Sequence, residues 1–101
     1  MKLIPQDHTI PVLYSMEEEE DPLCQIKLFT PDANWTWYII EIDDANELCF
    51  GYVVGLENEL GYFTMSELES VRGALNLPIE RDLSFTPTPL SEIQKNELCL
   101  K

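Results

Sequence analysis

A chain of 101 residues with nineteen acidic and six basic side chains has a net charge of −13. It lacks the cations for a phosphate-binding groove or for attraction to an anionic membrane. Its 45 % hydrophobic and 10 % aromatic content is too rich for disorder and suits one globular domain over residues 1–101. No apolar run approaches the eighteen or so residues of a membrane span, and MKLIPQDHTIPVLYS, with one Lys, does not read as a secretory leader. Cys24, Cys49 and Cys99 are an odd number without CxxC spacing. They read as buried or free thiols of a cytoplasmic protein, not as a disulfide framework or a zinc site.

Residues 1–24 read as a loosely structured acidic lead-in. Pro5, Pro11 and Pro22 interrupt any helix, Ile10 to Tyr14 could anchor the segment, and Glu17 to Asp21 are five consecutive acids expected in a solvated loop. The core is expected over residues 25–86. Gln25–Thr30 alternates with period two, and Pro31 to Asn34 supplies turn-forming residues. Trp35–Asp43 reads as a central strand, with Trp35, Trp37, Ile39 and Glu41 on one face and Thr36, Tyr38, Ile40 and Ile42 on the other.

Asp44 to Glu47 turns the chain into a strand over Leu48–Leu56. Its large side chains (Leu48, Phe50, Tyr52, Val54, Leu56) separate from a small-residue face (Cys49, Gly51, Val53, Gly55). Glycines four apart in a strand leave a trough for a helix, a ring or a ligand. After Glu57-Asn58-Glu59, Leu60–Thr64 completes a meander, since short loops favour sequential antiparallel pairing. Ser66 and Glu69 fit a capping box that opens a helix Ser66–Leu75 of about three turns, with Leu68, Val71 and Leu75 as its buried stripe. Ile79 to Phe85 alternates as a fifth, half-exposed strand, and Thr88-Pro89 opens a short helix or tail over residues 87–101. The predicted fold is α+β: a four- or five-stranded antiparallel meander sheet with one main helix packed on one face.

Signals of chemistry are sparse. His8 is the single histidine, and no GxGxxG, GxxxxGK[ST], HExxH or GxSxG motif occurs. These absences lean against an enzyme, and no cofactor or metal is implied. Arg72 and Arg81 stand among Glu67, Glu69, Glu80 and Asp82, either in ion pairs tying helix to strand or lining a pocket for an anion. Trp35, at the mouth of a turn, suits a partner-binding position. Glu41, Asp43, Asp44, Glu47, Glu57 and Glu59 are candidates for an acidic face.

The run Phe29-Thr-Pro-x-x-Asn-Trp-Thr-Trp-Tyr38, Phe50-Gly-Tyr-Val-Val-Gly-Leu-Glu57, Glu59-Leu-Gly-Tyr-Phe63, Glu67-Leu-Glu-Ser-Val-Arg-Gly73, Leu77-Pro-Ile-Glu-Arg-Asp-Leu83 and Pro87-Thr-Pro-Leu-Ser91 resembles a domain-of-unknown-function family. Its members are small acidic bacterial proteins carried on plasmids, integrative elements and prophages. The resemblance implies no catalytic residues. It implies an accessory of mobile DNA, where acidic proteins antagonise host defence by imitating DNA or blocking a basic channel. The leading expectation is therefore a non-enzymatic interaction protein whose acidic face meets a basic protein partner, without direct nucleic-acid or membrane binding. The alternative is a small-ligand or peptide-binding module that uses the Gly51/Gly55 strand face with Arg72 and Arg81.

Overall fold

A computed structural model describes residues 3–99, with the backbone alone for 98 and 99; the Cys99 thiol therefore lies outside the described side chains. The main sheet contains β2 (Ile26–Phe29), β3 (Thr36–Ile42), β4 (Leu48–Val54), β5 (Asn58–Thr64) and β6 (Glu80–Arg81), in the order β5-β4-β3-β2-β6. Every pairing is antiparallel, as the short loops predict for β2 to β5, and β6 returns past α1 to pair with β2 at the far edge. Two-residue strands β1 (Leu23–Cys24) and β7 (Thr88–Pro89) form a separate ribbon. The helices are α1 (Met65–Ser70) and α2 (Leu90–Cys99).

β3 is the centre. Its β-branched and aromatic residues favour extended backbone, and six of its seven residues are buried. Trp37, Ile39 and Ile42 join Leu28, Cys49 and Phe63 in a first core, closed by Ile10, Met65, Leu68 and Ile79. Tyr38 and Ile40 join Cys24 and Tyr52 in a second, closed by Leu90 and Ile93 of α2 with Met16 and Phe85 partly buried against it. Full burial of each such aliphatic side chain contributes roughly 1.5–3 kcal/mol.

The expected face assignment of β3 fails beyond Ile39. The register shifts between Ile39 and Glu41, so Ile39 pairs with Gly51 and Glu41 with Phe50. Ile40 is the extra residue of a bulge. A slip of one residue exchanges faces, which carries Ile42 into the first core and Glu41 to the second face.

The helices are also divided differently from expectation. α1 ends at Ser70, and its N-cap is Thr64, whose hydroxyl accepts from Glu67 N at 3.2 Å. Val71 is already extended, and Asp32 accepts from Leu75 N at 2.7 Å, which draws the chain off the helical path. Leu68 is buried and Val71 packs partly against the core, but Leu75 is 73 % exposed. The Ser66/Glu69 capping box is displaced because Ser66 N and Oγ both donate to Glu47 Oε1, each at 2.8 Å. α2 is the longer helix and covers the second face, so the sheet is covered on both sides.

The fifth strand is reduced to β6, since Asp82 Oδ1 accepts from Ser84 N and Oγ at 2.9 and 2.6 Å and turns the chain there. The lead-in is tied to the sheet as well. Val12 bridges Ile42 in parallel, with Leu13 N donating to Ile42 O and Ile42 N to Pro11 O, each at 3.0 Å.

Gly51 and Gly61 face each other across β4 and β5, yet their surroundings differ. A Cβ on Gly51 would collide with the Tyr38 carbonyl beside the bulge, whereas a Cβ on Gly61 meets nothing within 4 Å. Gly51→Ala is expected to destabilise by roughly 1–3 kcal/mol or more, because a backbone neighbour cannot yield. Gly61→Ala is expected to stay within about 0.5 kcal/mol of the parent. Chemical denaturation of the two variants measures the contrast, and equal values would remove the bulge as the reason for Gly51.

Burial pushes the Cys24 and Cys49 thiols up to about 12. At pH 8 the reactive thiolate is then on the order of one part in ten thousand. In a Cys99→Ser background, native protein should leave a thiol reagent unreacted and release two equivalents only on unfolding. Rapid labelling of the native form would contradict the packing of both cores.

Candidate functional site

Glu41 is 3 % exposed, so it cannot present charge on an outer face as its position in the strand predicted. The bulge turns it under the lead-in, where Oε2 accepts from Met16 N at 2.6 Å. Among the described residues nothing else donates to this carboxylate. The bond draws residues 16–22 across the second face, and a groove of about 460 Å³ remains between that segment, the start of α2 and β5. Ile40 and Phe50 line it together with Leu60 and Tyr62 of β5, and Glu17, Glu19, Glu20 and Glu41 supply four carboxylates. Phe50 and Tyr62 pack with ring centroids 5.0 Å apart, and Tyr14 lies 6.3 Å from Tyr62. Tyr62 nonetheless remains 55 % exposed and Leu60 45 %.

The other predicted acids fall into two groups at opposite ends of β4. Asp43, Asp44 and Glu47 lie in or beside the turn before it, and Glu57 and Glu59 in or beside the turn after it. A seven-residue strand separates the groups by roughly 20 Å. They are unequal in availability. Asp43 Oδ1 accepts from Glu47 N at 2.8 Å and shapes the turn, where Asn46 is left-handed at φ 56°. Glu47 caps α1, and the Ser66 N–H and then its hydroxyl hold the Glu47 carboxyl below its ordinary value. Asp44, Glu57 and Glu59 are exposed. Asp21, last of the acid run, is likewise engaged, accepting from Ser91 N at 2.8 Å and Ser91 Oγ at 2.7 Å at the start of α2. The Ser91 hydroxyl and then its N–H lower the Asp21 carboxyl.

The glycine trough is filled. The Gly51 face lies over the α1 core, and the Trp35 ring occupies the space a Gly55 Cβ would need. Trp35 is 39 % exposed and stacks on Trp37 at 5.9 Å. Nor do the two arginines meet in one pocket. Arg72 Nη1 donates to the Glu69 and Val71 carbonyls at 2.8 and 2.7 Å, closing the end of α1. Arg81 instead lines a wide cleft of about 1040 Å³ with Lys27, Trp35 and Glu97. Lys27 there pairs with Asp82 at 3.8 Å. His8 accepts at Nδ1 from Ile10 N and therefore donates from Nε2 to Asn46 Oδ1, each at 3.1 Å. No cluster of three or more His, Cys, Asp or Glu among the described residues could hold a metal ion.

The groove went unread in the sequence because the acid run has the form of a solvated loop. The available signal was Leu60 and Tyr62, two large apolar residues on one face of a terminal meander strand.

Fold and surface together define a small acidic α+β protein on an open antiparallel sheet, with no described helix long and apolar enough to cross a membrane. It belongs to a family described as protein of unknown function (DUF2958), whose model matches residues 3–96. No curated protein and no solved structure matches the chain.

The two helix caps carry a pH signature. Carboxylates lowered by folding contribute fully above their ordinary values near pH 4, and lose that contribution as pH falls through the folded values. The double variant Asp21→Asn/Glu47→Gln should melt below the parent at pH 7, with the gap closing toward pH 3. Thermal melts across that range measure it, and a gap independent of pH would show that the charge of the caps is idle.

Proposed function

We propose that this protein acts by binding and not by catalysis, its acidic surface engaging the basic face of a protein partner. The observation that carries the reading is the charge itself. With nineteen acids and six cations, thirteen carboxylates exceed what pairing within the chain can neutralise. Glu57 and Glu59 flank the β4–β5 turn, Asp44 sits at the other end of β4, and Glu17 to Glu20 lie exposed in the lead-in. Basic faces of this kind occur on proteins that grip phosphate backbones. On the reading of the family as an accessory of plasmids, integrative elements and prophages, the partner is a host nucleic-acid-handling or defence complex whose channel the acidic surface blocks. Electrostatic complementarity acts chiefly on the rate of encounter.

A second reading has one observation in its favour. The wide cleft holds two of the six cations, Lys27 and Arg81, beside the Trp35 ring, a combination suited to a small anionic or peptide ligand. Arg72 has no part in it.

The test is affinity capture from bacterial lysate, followed by association kinetics over a salt series. Captured proteins should be basic and should elute as salt shortens the screening length from about 10 Å at 0.1 M to about 3 Å at 1 M. Glu57→Lys/Glu59→Lys should slow association about tenfold or more, while stability shifts by no more than about 0.5 kcal/mol per turn position. A salt-independent rate unaffected by the reversal would reduce the acidity to solubility and favour the cleft.

A further inference from the structure

β5 ends the sheet order, and no described segment pairs with its outer side. Proteins guard such an edge with lysine, proline, a bulge or a short strand, because its free N–H and C=O groups template further pairing. β5 has no lysine, proline or bulge, its one charge being the exposed Glu59: it is seven residues long, reads Asn-Glu-Leu-Gly-Tyr-Phe-Thr, and keeps unbroken register with β4. Leu60 and Tyr62 stand exposed on the same face as Phe50, at the wall of the groove above Glu41.

Resting on the proposed engagement of a basic partner, we infer that the occupant of this edge is an extended basic segment. It adds as a strand to β5 and places a lysine or arginine side chain in the groove. The aliphatic stem of such a residue packs on Phe50, Leu60 and Tyr62, and its cationic head meets Glu41 at the bottom and Glu17, Glu19 and Glu20 at the rim. Strand addition supplies main-chain hydrogen bonds, and side chains of period two bring every second residue to the groove face. Charge decides between occupants. A second copy would bring another chain of net charge −13, whereas a basic strand relieves that repulsion.

The probe is an eight-residue peptide alternating lysine and valine. Its control is a peptide of the same composition with four lysines followed by four valines. At 150 mM salt the alternating peptide should bind at least tenfold more tightly, shift the amide resonances of Phe50, Leu60, Tyr62 and residues 16–20, and slow exchange of β5 amides. Glu41→Gln retains an acceptor for Met16 N and should weaken the alternating peptide at least fivefold. Asp44→Asn, an equal charge change on an exposed turn, should weaken it less than twofold. Tyr62→Lys, an exposed position that leaves the core intact, should weaken it at least tenfold and stands in if Glu41→Gln perturbs folding. Equal affinity for the two peptides, or equal effects of Glu41→Gln and Asp44→Asn, would overturn strand addition while leaving a general acidic attraction standing. Sedimentation of the protein as a dimer with protected β5 amides would assign the edge to a second copy and overturn the inference. Absence of binding by either peptide, together with salt-insensitive capture from lysate, would remove the acidic-surface reading as well.

Discussion

Between the Ile39–Gly51 and Glu41–Phe50 pairs of β3 and β4 the chain accommodates one extra residue, Ile40. Beyond it the two faces of the strand exchange. Ile42 then completes the first core, and Glu41 is delivered beneath the lead-in, where its carboxylate holds Met16 N. The same irregularity brings the Tyr38 carbonyl against the Cα of residue 51 and leaves room only for glycine. A bulge bends its strand and re-aims side chains. Here it re-aims the β3 carboxylate that holds the N-terminal segment over the second face, so fold and groove share a cause.

Caps made by tertiary contact complete the architecture. α1 is too short to stand on propensity, and α2 depends on packing for most of its stability. Each takes a carboxylate from a distant part of the chain. Glu47 reaches Ser66 from the β3–β4 turn, and Asp21 reaches Ser91 across seventy residues. Asp32 does the same for the loop after α1 through Leu75 N. Acids counted together in the sequence therefore divide into those that hold the backbone and those left to solvent.

This division explains what was legible. The strands show because alternating or size-sorted side chains report a pleat directly, as in Gln25–Thr30 and Leu48–Leu56. The bulge is invisible because Trp-Tyr-Ile-Ile-Glu-Ile is buried on both faces, and a run without polar alternation carries no mark of a slip. The Ser66/Glu69 motif misleads because a local motif cannot register Glu47 arriving from another turn. α2 is underrated for a related reason, since its first-turn partner is Asp21 and its start falls at Leu90, one residue beyond the expected proline. Of the candidate site, Glu57, Glu59 and Asp44 could be read as exposed turn acids. The placement of Glu41 depended on the bulge, and the distance between Arg72 and the Arg81 cleft depended on where α1 stops.

The net charge also bears on the open edge of β5. Two copies meeting edge to edge would set their β5 strands about 4.8 Å apart, well inside the screening length of about 8 Å at physiological salt. Carboxylates around that edge would repel at close range, so the acidity itself takes the place of the missing lysine, proline or bulge. The same charge destabilises the compact state, and burial of β3 on both faces is the opposing term. Surface acids at the strand ends act on any cation at a distance and carry little geometric information. Glu41 differs, because its position is set by a bulge and a backbone hydrogen bond. Phe50 and Tyr62 line the groove beside it, so the inferred lysine or arginine would lay its apolar stem along them. On the proposed engagement of a basic partner, discrimination would rest on Glu41, the acid buried among the described residues, and the rate of encounter on the exposed acids.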